Sequence, residues 1–174
     1  MPISDAMQAA FNDQIQKELA SAYLYLSMSA FFEARSLEGF AQWMRAQAQE
    51  EVIHGLKLFD HLHDRGGRAV LGAVDRPQAD FASPLAAFEL AAEHEAVVTR
   101  SIHELFALAE GEGDYASQGI LQWFSNEQVE EEKTASLIVD KLRMIDDDPA
   151  GLYMLDKELG ERSAGAAAAG GEPA

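Results

Sequence analysis

The chain has 174 residues, with 13 Lys and Arg against 30 Asp and Glu, a formal net charge of -17 and no Cys. That length suits one domain with a sizeable core, and the missing Cys excludes disulfides, thiolate zinc sites, iron–sulfur clusters and a thiol nucleophile. The acidity disfavours nucleic acid and anionic membrane as partners and favours cations, for which hard oxygen ligands and imidazole are the available donors. The opening MPISDAMQAAFNDQIQKELA has neither a basic start nor a continuous apolar run. No signal peptide is expected from it, no stretch approaches the ~18 apolar residues of a membrane span, and a reducing cytoplasm is the expected location.

Four long segments with helical periodicity follow in chain order. The first is predicted from about Asp5, with Ser4 as N-cap, to about Ala34, and the second from after Ser36 to about Arg65, before Gly66 and Gly67. The third starts with Ser83 as N-cap and Pro84 at the first helical position and stops at the loop Gly111, Glu112, Gly113. The fourth opens near Asp114 and continues to about Ile145. Between the second and third lies GGRAVLGAVDRPQADFAS, too long for a tight turn, so it reads as a crossover running the length of a bundle. The short connections make helices one and two, and three and four, antiparallel pairs. A short fifth helix, PAGLYMLDKELG, is predicted from Pro149. Residues 1–160 are read as one domain and 161–174, ERSAGAAAAGGEPA, as a flexible low-complexity tail.

The core faces of these helices carry acids. Glu18 lies within the stripe Phe11, Ile15, Ala22, Tyr25, Phe32; Glu51 and His54 occupy the middle of Leu37, Phe40, Met44, Leu58, Leu62. Glu95 sits among Leu85, Phe88, Ala92, Ile102 and Phe106, and Glu127 and Glu131 lie between Ile120, Phe124, Ile138 and Ile145. At ~1.5 Å rise per residue these acids fall within about 8 Å of one level. Ionised carboxylates converging in an apolar core repel and lose hydration, at several kcal/mol per ion, unless a cation neutralises them or some stay protonated. Carboxylates with few imidazoles suit iron or manganese and can hold a ferric product.

In order and spacing, Glu18, Tyr25, Glu51, His54, Glu95 and the run Asn126, Glu127, Gln128 make the chain resemble the ferritin family over about residues 4–160, in its bacterial non-haem branch. The resemblance implies an all-α, ferritin-like four-helix bundle with a long crossover between helices two and three and a short fifth helix. It further implies a subunit of a hollow shell of twenty-four copies that oxidises Fe(II) with O2 or peroxide at a di-iron centre and stores Fe(III) as mineral. By the same resemblance Glu18, Glu51 and His54 hold the first iron, Glu51 bridges, and Glu95 with Glu131 hold the second, while Gln128 and Tyr25 touch the ligands. Glu50, Glu127, Glu130 and Glu131 border one region that the resembling proteins suggest as a weaker third iron site.

Several departures qualify the likeness. Helix four has Glu127 and Glu130 where bacterioferritins have a second Glu-x-x-His, Val52 stands where their haem-ligating Met would be, and Ile53 and Leu56 replace the inner-surface acids of animal ferritins. No haem is therefore expected. The Cys-free composition argues against a rubrerythrin-like peroxidase, and a tail with one Arg against a DNA-protecting mini-ferritin. A metal-free scaffold would need neither His54 nor acids at one depth. A second apolar stripe on helix one, Leu19, Tyr23, Leu26 and Ala30, faces away from the core and predicts a homo-oligomer.

Overall fold

A computed structural model describes residues 2–146 and 148–169, with side chains through Glu161. Five helices follow one another: α1 Asp5–Glu33, α2 Glu38–Asp64, α3 Pro84–Gly111, α4 Tyr115–Ile145 and α5 Pro149–Ala169. Among the described residues no helix is long and apolar enough to cross a membrane. The start signals act as the sequence predicts. Ser4 Oγ accepts from Met7 N at 3.1 Å, Ser83 Oγ accepts from Ala86 N at 3.0 Å ahead of Pro84, and the Asp114 carboxylate accepts from Ser117 N at 3.2 Å. Gly66 and Gly113, at φ +73° and +67°, supply the left-handed residues after α2 and α3.

The crossover lies along α1. Gln8 Oε1 accepts from Arg68 N at 2.8 Å, Asn12 Oδ1 from Val70 N at 2.6 Å, Gln16 Nε2 donates to Ala73 O and Ser27 Oγ to Gln78 O, both at 2.7 Å. This ladder of polar residues carries the chain from the start of α1 to its end, where Phe81 meets Phe31 with ring centroids 5.0 Å apart. Helix α3 can then begin beside the end of α1 and run antiparallel to it. The long connection between α2 and α3 predicted from the sequence is therefore present.

The apolar core comes in two separate clusters. One gathers Phe32, Phe40, Met44, Phe88, Ile138 and Leu142 with Leu155 and Leu159 of α5; the other gathers Met7, Phe11, Ile15, Leu58, Ile102 and Phe124. A layer of buried polar residues separates them at the middle of the bundle, and it contains Glu18, Glu51, His54, Glu95 and Gln128.

Helix α5 is longer than the segment 149–160 expected from the sequence. It passes Gly160 and continues to Ala169, because the run Ala-Gly-Ala-Ala-Ala-Ala costs little in a helix. Residues 161–169 of the expected flexible tail are thus helical, and 170–174 lie outside the described residues. The helix also has a task the sequence does not reveal. Leu37, the N-cap of α2, has no side-chain oxygen, and Asp156 of α5 accepts from Phe40 N at 2.9 Å in its place. The approach is close because Gly39 has no side chain: a Cβ there would stand 1.7 Å from Asp156 O. Asp156→Ala should destabilise by about 1–2 kcal/mol, the usual cost of a lost cap. Gly39→Ala should unseat α5 altogether, read as lost hydrogen-exchange protection over 149–160 with the bundle still protected. Unchanged protection in both variants would contradict this docking.

Candidate metal centre

Four elements deliver the polar layer. Helices α1, α2 and α3 place Glu18, Glu51 and Glu95 at 1 % exposure each, as buried as the leucines beside them. One ligand atom from each of Glu18, Glu51 and His54 lies within 4.8 Å of the other two. The His54 Nδ1 to Glu51 Oε2 distance, 4.0 Å, is too long for a hydrogen bond, and Glu51 Oε2 is buried with no hydrogen-bond partner. A bare carboxylate oxygen in a protein interior is costly, on the order of 1–3 kcal/mol or more. A cation set among the ligand atoms of Glu18, Glu51 and His54 would satisfy all three groups.

Burial and mutual repulsion dominate the electrostatics of these acids. Burial, followed by the charges of Glu18, Glu95 and Glu131, pushes the Glu51 carboxyl well above the usual range. Burial also raises Glu18, against a hydrogen bond from Gln14 Nε2 at 2.7 Å that favours its ionised form. Glu131 is pushed up to about 8, first by burial and then by Glu95, Glu50 and Glu127. His54 goes the opposite way, down to about 4, through burial and then the nearby Lys57 charge. At neutral pH it is therefore an uncharged imidazole with a lone pair to give. Trp123 and Phe124 meet its ring edge-on at centroid distances of 5.5 and 5.6 Å and fix its plane.

Glu95 completes the far side. Tyr25 donates its hydroxyl proton to Oε1, and Gln128 Nε2 approaches Oε2 at 3.2 Å. Gln47 Nε2 donates to Glu131 Oε2 at 2.9 Å. Glu131 also feels Glu50 and Glu127, and Glu50 is raised by burial and by Glu127, so these three acids share one region. Glu130 is exposed and is not among the leading charges on either Glu131 or Glu50.

Helix α4 differs in one respect from the sequence reading. Its inward line is Leu121, Phe124, Gln128, Ala135, Ile138 and Leu142, which puts Gln128 on the axis and leaves Glu127 and Glu131 half-buried on its flanks. One residue is about 100° of helix, so a stripe assigned to Glu127 places the inward residue one position early. Sequence reasoning also missed Gln14 and Gln47. Both are buried and stand four residues before Glu18 and Glu51 on the same helix faces, and a Gln in that register inside an apolar stripe was the available signal.

Fold and site together define a class: a four-helix bundle with a buried group of carboxylates and an imidazole at mid-height that could hold a metal ion. The comparisons agree with it. The Ferritin-like domain family matches residues 8–145. The bacterial non-heme ferritin of Bacteroides fragilis (strain 638R) is 42% identical over 160 residues, covering 92% of this chain and 99% of its own. That of Staphylococcus epidermidis (strain ATCC 35984) is 39% identical over 161 residues, covering 92% and 97%. Among solved structures, an open pore ferritin from the hyperthermophilic archaeon Archaeoglobus fulgidus superposes with a TM-score of 0.90 at 52% identity, over 91% of this chain and 98% of that one. The chain belongs to the ferritin family.

Proposed function

We propose that this ferritin subunit oxidises Fe(II) at the buried carboxylate cluster and stores the Fe(III) as mineral inside a hollow shell of twenty-four copies in the cytoplasm. The observation that carries the reading is the unpartnered Glu51 Oε2, held between Glu18 and His54 where the donor set suits iron. Fe(II) is the substrate. Glu18, Glu51 and His54 would hold one ion and Glu51, Glu95 and Glu131 a second, with Glu51 shared. Two Fe(II) together supply two electrons, which take O2 to hydrogen peroxide or hydrogen peroxide to water, the protons coming from solvent and from the carboxylic acids that ionise on binding. Tyr25 and Gln128 hold Glu95 in place, and Gln47 holds Glu131. Glu131 with Glu50, Glu127 and Glu130 forms a weaker third iron site on the way to the cavity.

Assembly is supported by the surface. Tyr23 and Leu26 of α1 are each 48 % exposed, and Val52 of α2 and Val70 and Leu71 of the crossover are exposed as well. A monomer would leave this apolar face in water, and a symmetric dimer covers it. In air, the purified protein given Fe(II) should turn amber while sedimenting as one large soluble particle, and as expressed it should show no Soret band, since Val52 offers haem no ligand. Sedimentation as monomers or dimers at neutral pH, a stoichiometric haem, or iron precipitating at the protein-free rate would contradict the proposal.

A further inference from the structure

The Gln128 amide reaches Glu95 from α4, and one of its three acceptors lies outside the ligand cluster. Its Nε2 lies 3.2 Å from Glu95 Oε2, 3.4 Å from the Glu95 main-chain oxygen and 3.2 Å from Thr99 Oγ1. A carboxamide has donors on one side and an acceptor on the other, so the nitrogen faces this group only if its neighbours all accept. The two Glu95 oxygens can do nothing else once the acid is ionised. Thr99 could do either, having one proton and two lone pairs. That single proton goes to Glu132 Oε1, across the groove between α3 and α4. Thr99 Oγ1 is left as an acceptor, and the Gln128 nitrogen is the end of the amide that satisfies it.

We propose that Thr99 and Glu132 are positioning residues of the metal centre, which lock the Gln128 amide with its nitrogen toward Glu95 and so hold the carboxylate that Tyr25 holds from the other side. The inference rests on the reading of the centre given above. Without the lock the Thr99 proton can turn to the Gln128 oxygen, or the amide can rotate. Its oxygen then confronts the Glu95 carboxylate, which is repelled from the second metal position. Thr99, Gln128 and Glu132 line one pocket of about 480 Å³ with His103, Ser125 and Lys133, so the lock is reached from the flank of the bundle and not from the first metal position.

Anaerobic titration with Co(II) alone, followed by its visible d–d bands, separates the two positions without any turnover. The unaltered protein should take two ions per subunit. Thr99→Val, which keeps the shape and removes the hydroxyl, should weaken the second ion about tenfold or more and shift its bands while sparing the first. Thr99→Ser should restore both, and Glu132→Met, a second route to the same loss, should reproduce the Thr99→Val spectrum. A Thr99→Val or Glu132→Met protein with unaltered bands and affinities, or one that weakens both ions equally, overturns the inference and leaves the centre standing. Failure of the unaltered protein to bind a Co(II) pair overturns the reading of the centre, and this inference with it.

Discussion

Replacing Glu51 by Ala should reduce the initial rate of Fe(II) oxidation at two ions per subunit by about a hundredfold or more, while the protein stays folded and becomes no less stable. The two halves of this expectation have one cause. Glu51 is the carboxylate that faces both proposed metal positions, so its loss removes a ligand from each at once. In the metal-free protein it is a liability: one oxygen is buried without a partner, and burial followed by the neighbouring Glu18 and Glu95 pushes its carboxyl well above the usual range. Burying a polar carboxyl without a full set of hydrogen bonds costs the fold free energy, and alanine does not carry that cost. Stopped-flow absorbance at low iron loading and thermal unfolding of the apoprotein measure the two parts. An unchanged initial rate would place the oxidation site elsewhere, and a collapse in stability would make Glu51 a structural residue.

The apoprotein should lose stability as pH rises from about 6.5 to about 8, and a divalent metal should abolish that loss. Glu131 has a folded pKa of about 8, above its unfolded value near 4.5, and Glu18 and Glu51 are displaced in the same direction. A group raised on folding binds more protons in the folded state. Its contribution is complete below the unfolded pKa and disappears as pH rises through the folded one. His54 has the reverse sign: lowered from 6.5 to about 4, its contribution is present above 6.5 and lost as pH falls toward 4. Above pH 6.5 only the carboxylates act, and the apoprotein Tm should fall by roughly 5 °C or more up to pH 8.5. Bound metal requires the ionised acids, so its affinity should increase over the same interval with release of protons. A Tm that is flat or rising with pH in the metal-free protein would show that the acids do not share a buried site.

Much of this architecture is written locally. Ser4, Ser83 with Pro84, and Gly66 mark helix ends through bonds made within a few residues, and the 3.6-residue period alone brings Glu18, Glu51 and Glu95 onto inward faces at one depth. The crossover was readable from the length of its segment, whereas the ladder of Gln8, Asn12 and Gln16 that holds it was not, since its partners lie about sixty residues further on. What the sequence conceals depends on distant partners. Nothing near Leu37 says that Asp156 caps α2, because the two meet only when α5 folds back over Gly39. The inward position on α4 falls to Gln128 because a long helix must be phased over its whole length to better than one residue. Thr99 and Glu132 stand on different helices, and their bond acquires meaning only through the amide between them.

Anomalous diffraction from crystals soaked anaerobically in Fe(II) locates the bound ions themselves. One ion is expected among Glu18, Glu51 and His54, a second among Glu51, Glu95 and Glu131, and a weaker third bordered by Glu50, Glu127, Glu130 and Glu131. Iron found only on surface carboxylates, with the Glu51 oxygen still unpartnered in its apolar surroundings, would contradict this arrangement.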